Sequence, residues 1–206
     1  MKTGALSIVS KLIVMMAAAV SGTVLAGPIQ FIHTGTGSGT SNGNPFSNAA
    51  FTITETADTS LRQACGPGCF FIDDTTSSIN IAGFGTLTLV TKTRTIISGN
   101  EVFFSRASFT GSDLFDGPAN NSLLGYGLLT SIGPVTGTGT IADTWNDPTS
   151  PIVTSGGVLI FNNPAGLASD ASFRAIAGVA SVPEPQTWFL LGAGALGFGL
   201  ARRKRT

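Results

Sequence analysis

Two cysteines, one histidine, three groups of carboxylates and one tryptophan in polar company are the residues of this 206-residue chain whose types and spacing bear on chemistry. Cys65 and Cys69 are its only cysteines and enclose Gly66-Pro67-Gly68, a turn sequence, so in an oxidising compartment a local disulfide is expected. Closing so small a ring contributes about 2 kcal/mol by the loop-entropy model, enough to shape one loop. A structural zinc site needs about four ligands, and a thioredoxin-like redox pair has two intervening residues where this pair has three. Gly39-Thr40-Ser41-Asn42-Gly43 has the spacing of a nucleophile elbow. That motif stands between an apolar strand and a helix, whereas Asn44-Pro45 follows here, and the segment reads as a turn. His33 precedes Ser41, the reverse of the order in hydrolases of that type, and is placed beside the start of the first strand. With one imidazole, two-histidine metal motifs are impossible.

Asp73-Asp74, Asp113 with Asp116, and Asp143 with Asn146-Asp147 carry hard oxygen donors of the kind that hold calcium. None has the twelve-residue loop pattern, and solvated turn carboxylates are the plainer reading. As acid–base pairs for glycoside hydrolysis they lack cleft residues around them. No catalytic residue, metal ligand or cofactor is therefore assigned, and the chain is not expected to be an enzyme. Trp145, beside Asp143, Asn146 and Asp147, is the candidate ligand contact, since an aromatic face with polar neighbours suits a sugar ring. The competing fate of such a residue is the core.

The elements that must position these groups are strands. Phe51-Thr52-Ile53-Thr54-Glu55-Thr56 alternates apolar and polar residues, and Thr86-Leu87-Thr88-Leu89 continues the habit. Further strands are expected at Thr95-Ile96-Ile97, Ile79-Asn80-Ile81, Val102-Phe103-Phe104, Leu123 to Leu129, Gly137 to Ile141 and Gly157 to Phe161. Turn signals fall at Ser98-Gly99-Asn100, Asp116-Gly117-Pro118, Asn146-Asp147-Pro148 and Asn162-Asn163-Pro164. Leu167 to Ala180 reads equally as a helix or a last strand. Thr34 to Thr40 and Thr136 to Thr140 alternate Gly with hydroxyl residues, which fits a pleat whose Gly face is closely approached better than it fits a flexible linker. A phosphate cradle is excluded because no Gly-Lys-Ser/Thr follows and the dinucleotide spacing is missing. The expected fold is all-β, a single β-sandwich or jelly roll.

The two ends read differently. Lys2 and Lys11 precede an apolar run from Leu12 to Val20, and Val24-Leu25-Ala26 supplies small residues, so residues 1–26 read as a signal peptide cleaved between Ala26 and Gly27. At the other end Val182-Pro183-Glu184-Pro185 is forced to be extended, because Pro lacks an N–H and restricts its predecessor. An uncharged run from Trp188 to Ala201 and the cluster Arg202-Arg203-Lys204-Arg205 follow. A short transmembrane helix over 187–201 with the basic end cytoplasmic is the expected topology. At about 1.5 Å per residue the run covers about 21 Å of a core of about 30 Å, which favours a transient anchor.

The order Pro-Glu-Pro, apolar span, basic cluster resembles the PEP-CTERM sorting signal of bacterial exported proteins. The resemblance implies export through the Sec machinery and recognition by a membrane-embedded exosortase that removes the tail. It further implies a transient membrane anchor and, afterwards, a cell-surface or extracellular location in association with exopolysaccharide. Segments of the body, among them Ile81-Ala82-Gly83-Phe84-Gly85-Thr86 and Thr154-Ser155-Gly156-Gly157-Val158-Leu159, are similar to a recurrent kind of PEP-CTERM protein, which brings an all-β body and no biochemical activity.

Residues 27–181 form the exported domain and 182–206 the sorting signal. Six of the eleven Lys and Arg and one of the eleven Asp and Glu lie in the terminal segments, which leaves the body five basic and ten acidic residues. A body at about −5, with Lys92 its only lysine, argues against nucleic acid and anionic lipid as its partners. Two functions fit: a non-enzymatic surface or matrix protein, or a secreted carbohydrate- or calcium-binding module. If the tail is a processing signal, replacing Glu184 by Ala, or Arg202 to Arg205 by Ser, makes the full-length form accumulate in the membrane of a host that has the exosortase. Mass spectrometry of the mature wild-type protein should find its C-terminus upstream of Thr206.

Overall fold

The computed structural model describes residues 26–107, 113–162 and 168–178. The expected signal peptide, the Val182–Pro185 segment, the 187–201 helix and the Arg202–Arg205 cluster lie outside those residues. No helix among the described residues is long and apolar enough to cross a membrane.

The strands follow the alternation of the sequence. β1 (Pro28–Ser41) buries every second residue from Ile29 to Ser41, and β2 (Asn44–Asp58) does the same from Phe51 to Ala57. The two pair antiparallel along their whole length and are joined at Asn42-Gly43, whose left-handed φ values of 49° and 80° make the two-residue hairpin turn. Then come β3 (Gln63–Gly66), β4 (Cys69–Asp73), β5 (Thr76–Ile81), β6 (Gly85–Thr88), β7 (Thr93–Ser98), β8 (Glu101–Arg106) and β9 (Asp113–Ala119). β10 (Ile132–Ile141), β11 (Ile152–Thr154), β12 (Gly157–Phe161) and β13 (Ala168–Ala177) follow, and the helical elements among the described residues are three short 3-10 turns. The all-β expectation holds, and the undecided segment near residue 170 is a strand.

All thirteen strands join one antiparallel sheet in the order β3-β4-β7-β8-β9-β10-β13-β1-β2-β5-β6, with β12 and β11 continuing from the far end of β1. β1 is the hinge of this arrangement: Ile29 to Thr34 pair with β13, and Gly39 to Ser41 pair with β12. The sheet rolls over so that β2 and β5 face β7, β8 and β9 across the core, and side chains of β2 and β5 meet those of β7. One core cluster sets Phe51, Ile53 and Ile79 against Phe104, Phe115 and Phe161, with ring centroids 5.4 Å apart for Phe51–Phe115 and 5.3 Å for Phe51–Phe161. The other gathers Ile29, Phe31, Ile72, Ile97, Val102 and Phe173.

Two expectations change. Leu123 to Leu129 is not a strand: Asn120 caps a 3-10 turn over Asn121–Leu123 by accepting from the Ser122 N–H, and Leu123 and Leu128 then point into the second cluster. Asp116-Gly117-Pro118 is not a turn between strands but part of β9, because Asp116 pairs with Phe103 and Thr140 on its two sides.

The Gly-hydroxyl tracts are strands, and their glycines face inward because the opposing groups leave no room. A Cβ on Gly39 would lie 2.0 Å from the Ile160 carbonyl oxygen, and one on Gly139 would lie 2.7 Å from Phe115 Cζ and Ala171 Cβ. Overpacking of this kind costs about 1–3 kcal/mol. Gly39→Ala and Gly139→Ala should each lower stability by that amount in denaturant titrations, while Thr40→Ala, on the outward side of the same strand, should change it by under about 0.5 kcal/mol.

Candidate functional site

The feature with most surface chemistry is the outer face of six adjacent strands. Inward residues of β1 are Ile29, Phe31, His33 and the tract glycines, so Gln30, Ile32, Thr34 and Thr36 face out. Register carries this across the sheet. Thr86 pairs with Asn80, Asn80 with Thr52, Thr52 with Thr34, Thr34 with Ser172 and Ser172 with Thr136. One row over β6, β5, β2, β1, β13 and β10 therefore presents a hydroxyl or an amide at every strand. A second row runs Thr88–Ser78–Thr54–Ile32–Arg174. Strands lie about 4.8 Å apart and alternate residues about 7 Å apart, so the groups form a regular grid. Each hydroxyl both donates and accepts, and the branched Thr side chains hold few rotamers, so ordering them costs little.

Where β1, β13 and β10 adjoin, the grid dips into an open groove of about 550 Å³ lined by Thr34, Thr136, Gly137, Thr138, Asp170, Ala171 and Ser172. Thr34 Oγ1 and Ser172 Oγ are 2.6 Å apart at its floor. Gly137 contributes bare backbone to its lining. Asp170, exposed at the rim, adds a carboxylate.

Trp145 is not on this face and is not a ligand contact. Its side chain is 1% exposed, its Nε1–H donates to the Leu114 carbonyl at 2.6 Å, and its ring packs edge-on to Phe161 with centroids 4.8 Å apart. An indole with no face in water has nothing to offer a sugar. Its polar neighbours stay at the surface, where Asp147 accepts from the Thr149 N–H and Oγ1, a turn carboxylate as expected.

The other candidates separate. Cys65 and Cys69 are disulfide-bonded, Cα atoms 5.1 Å apart, and tie β3 to β4. Asp73 pairs with Arg94 Nε at 2.9 Å near the surface, and Arg94 lies over the Phe71 ring. Its neighbour Asp74 is no solvated turn residue: it is buried and accepts from Thr93 Oγ1 at 2.8 Å. His33 lies in the middle of β1 rather than beside a strand start, wholly buried with Phe104, Phe115 and Phe173 around it, while Ser41 ends the same strand eight positions on. Burial lowers its pKa to about 3. Asp113 accepts from Ser105 Oγ, and Asp116 beside it is pushed up to about 7 by burial and by the charges of Asp113 and Glu101. No set of three or more His, Cys, Asp or Glu among the described residues is arranged to hold a metal ion.

Comparison with known families bears on the segment beyond these strands. Residues 181–205 match the model of the PEP-CTERM protein-sorting motif, one residue wider at its start than Val182. The chain carries a PEP-CTERM sorting motif. This makes it an exported protein with a membrane-anchored sorting signal, processed by an exosortase. No curated protein and no solved structure matches the chain.

The row of hydroxyls escaped the sequence reading because register between strands far apart in sequence is not written in any one of them. The Thr alternation in each strand was the available signal. For Trp145, truncation acts on stability: Trp145→Ala should cost about 3–5 kcal/mol in chemical denaturation, the range for a fully buried aromatic.

Proposed function

We propose that this PEP-CTERM protein is a non-enzymatic surface or matrix protein whose body lies against exopolysaccharide through the hydroxyl grid of β6, β5, β2, β1, β13 and β10. The observation that carries this reading is the unbroken row Thr86–Asn80–Thr52–Thr34–Ser172–Thr136. An extended glycan offers neutral hydroxyls at regular intervals, and a rigid grid of donors and acceptors meets many of them weakly at once. Affinity then comes from number rather than from one deep site, as multivalent contact allows. The groove at Thr34 and Asp170 supports a narrower second reading, a discrete carbohydrate site on the same face.

Delivery follows the terminal signals. Export is through the Sec machinery with cleavage between Ala26 and Gly27, a reading supported by the start of the hydrogen-bonded body at Gly27, whose N–H donates to Thr59 Oγ1 at 2.9 Å. The 187–201 segment then holds the protein in the membrane until the exosortase acts. A hydrolytic role lacks support, since His33 is buried among phenylalanines with Glu55 as its polar neighbour and, among the described residues, no hydroxyl is hydrogen-bonded to it.

Retention on immobilised exopolysaccharide of the native host tests the face directly. Thr52→Arg combined with Thr136→Arg places two bulky charges in the row, and retention should fall about tenfold or more with an unchanged circular dichroism spectrum. Retention equal to wild type, or none in the wild type, rejects the proposal. Loss only from Asp170→Ala would favour the discrete groove.

A further inference from the structure

The interior holds a chain of polar groups that neither the sorting signal nor the outer face uses. His33 Nε2 of β1 lies 3.5 Å from Glu55 Oε1 of β2, both side chains wholly buried. Glu55 Oε2 accepts from Thr95 Oγ1 of β7. Thr95 Oγ1 is also 3.3 Å from Asp74 Oδ1, and Asp74 Oδ2 accepts from Thr93 Oγ1 at 2.8 Å. Thr93 Oγ1 and Ser77 Oγ of β5 are 2.5 Å apart. The chain crosses from β2 and β5 on one side of the rolled sheet to β7 on the other, at the boundary of the two apolar clusters.

Counting protons shows what this geometry demands. Four oxygen–oxygen contacts of 3.3 Å or less link Glu55, Thr95, Asp74, Thr93 and Ser77, with Ser77 Oγ at a longer 3.5 Å from Asp74 Oδ2, and the three hydroxyls supply three protons. Thr95 has one hydrogen for two carboxylates. With both acids ionised, one contact is left as bare oxygen against oxygen in the core, where no water repays it. A proton on one carboxyl completes the set.

We infer that the Glu55–Thr95–Asp74–Thr93 chain is a proton-held clasp across the rolled sheet, closed while it carries a carboxyl proton and loosened along the seam between β2–β5 and β7 when that proton leaves. The inference is independent of glycan contact. Directions of titration agree with it. Burial, then the Asp74 charge, raises Glu55 well above the usual range, and burial raises Asp74 to about 7. Asp73 of β4 faces Asp74 and is itself paired with Arg94 of β7. β8, β9 and β13 offer His33 only Phe104, Phe115, Phe173 and the Gly117 carbonyl. Glu101, Asp113 and Asp116 act on one another, with Asp113 and Asp116 on the strand of Phe115.

The sign follows from which state holds more protons. Between about pH 4 and 7 the folded protein keeps the Asp74 proton and the unfolded chain has lost it, so stability falls as pH rises. Asp116 adds in the same direction. His33, neutral when folded and charged when unfolded up to about 6.5, works the other way, against Glu55, whose carboxyl burial raises well above its usual range. Each proton held only by the folded form lowers the folding equilibrium about tenfold per pH unit.

Thermal unfolding of the full-length protein in detergent from pH 5 to 9 tests the clasp. Wild type should lose melting temperature steadily from pH 5 to about 7. Asp74→Asn, whose amide supplies a permanent donor, should reduce the pH slope by about one proton, and Glu55→Gln should reduce it as well. A wild-type melting temperature that is constant or rises over pH 5 to 7, or an Asp74→Asn slope equal to wild type, overturns the inference. If neither variant folds, infrared spectroscopy of Asp116→Asn, which removes the other raised carboxyl, decides: a protonated-carboxyl carbonyl band at pH 6 that vanishes on alkalinisation supports the clasp, and its absence at pH 6 refutes it.

Discussion

The architecture depends on how β1 is shared. Its 14 residues pair with β2 along one edge and with β13 and then β12 along the other, so a single strand fixes the register of both halves of the sheet and of the short β12–β11 arm. A one-residue slip here would turn Ile29, Phe31 and His33 to solvent and bring Gln30, Ile32 and Thr34 into the core. The inner glycines of β1 enforce the same answer sterically, because the Ile160 carbonyl and the Phe51 and Phe161 rings occupy the volume that larger side chains would need. Core, outer grid and buried polar chain are three consequences of one register.

The polar chain and the apolar core do different work. Phenylalanine rings meeting edge-on in the first cluster supply non-directional burial, which would tolerate several relative positions of the two sheet halves. Glu55, Thr95, Asp74 and Thr93 tolerate few, since an unmade contact in that setting is costly. Buried ionisable groups are poor contributors to stability but can specify one arrangement among near-equal ones. Here they lie where β2 and β5 meet β7, a strand that shares no backbone ladder with either of them.

Much of the local structure was legible in the sequence and much of its assembly was not. Alternation announced β2, Asn42-Gly43 was placed in a turn, and the spacing of Cys65 and Cys69 gave the disulfide, because each signal lies within a few residues. Leu123 to Leu129 misled because its apolar residues are core residues on an irregular segment, held by the Asn120 cap and the Tyr126 hydroxyl bond to the Thr130 carbonyl. Trp145 misled through its neighbours: Asp143, Asn146 and Asp147 belong to the surface side of a short turn whose one inward residue is the indole. Asp74 and His33 look like surface groups in any local window, and only the roll of the sheet buries them.

Gly27 and Gly178 leave the body side by side, since Gly178 N–H donates to the Pro28 carbonyl and Thr59 bonds to Gly27. A tether through the C-terminal segment therefore pulls on the end of β13, a strand hydrogen-bonded to β1 on one side and β10 on the other. Load along that axis strains both ladders in shear, all bonds together, rather than unzipping them one at a time. While its tail is in the membrane, the protein hangs from a strand braced on both sides, and drag from a moving fluid or a stretched polymer falls on two ladders at once.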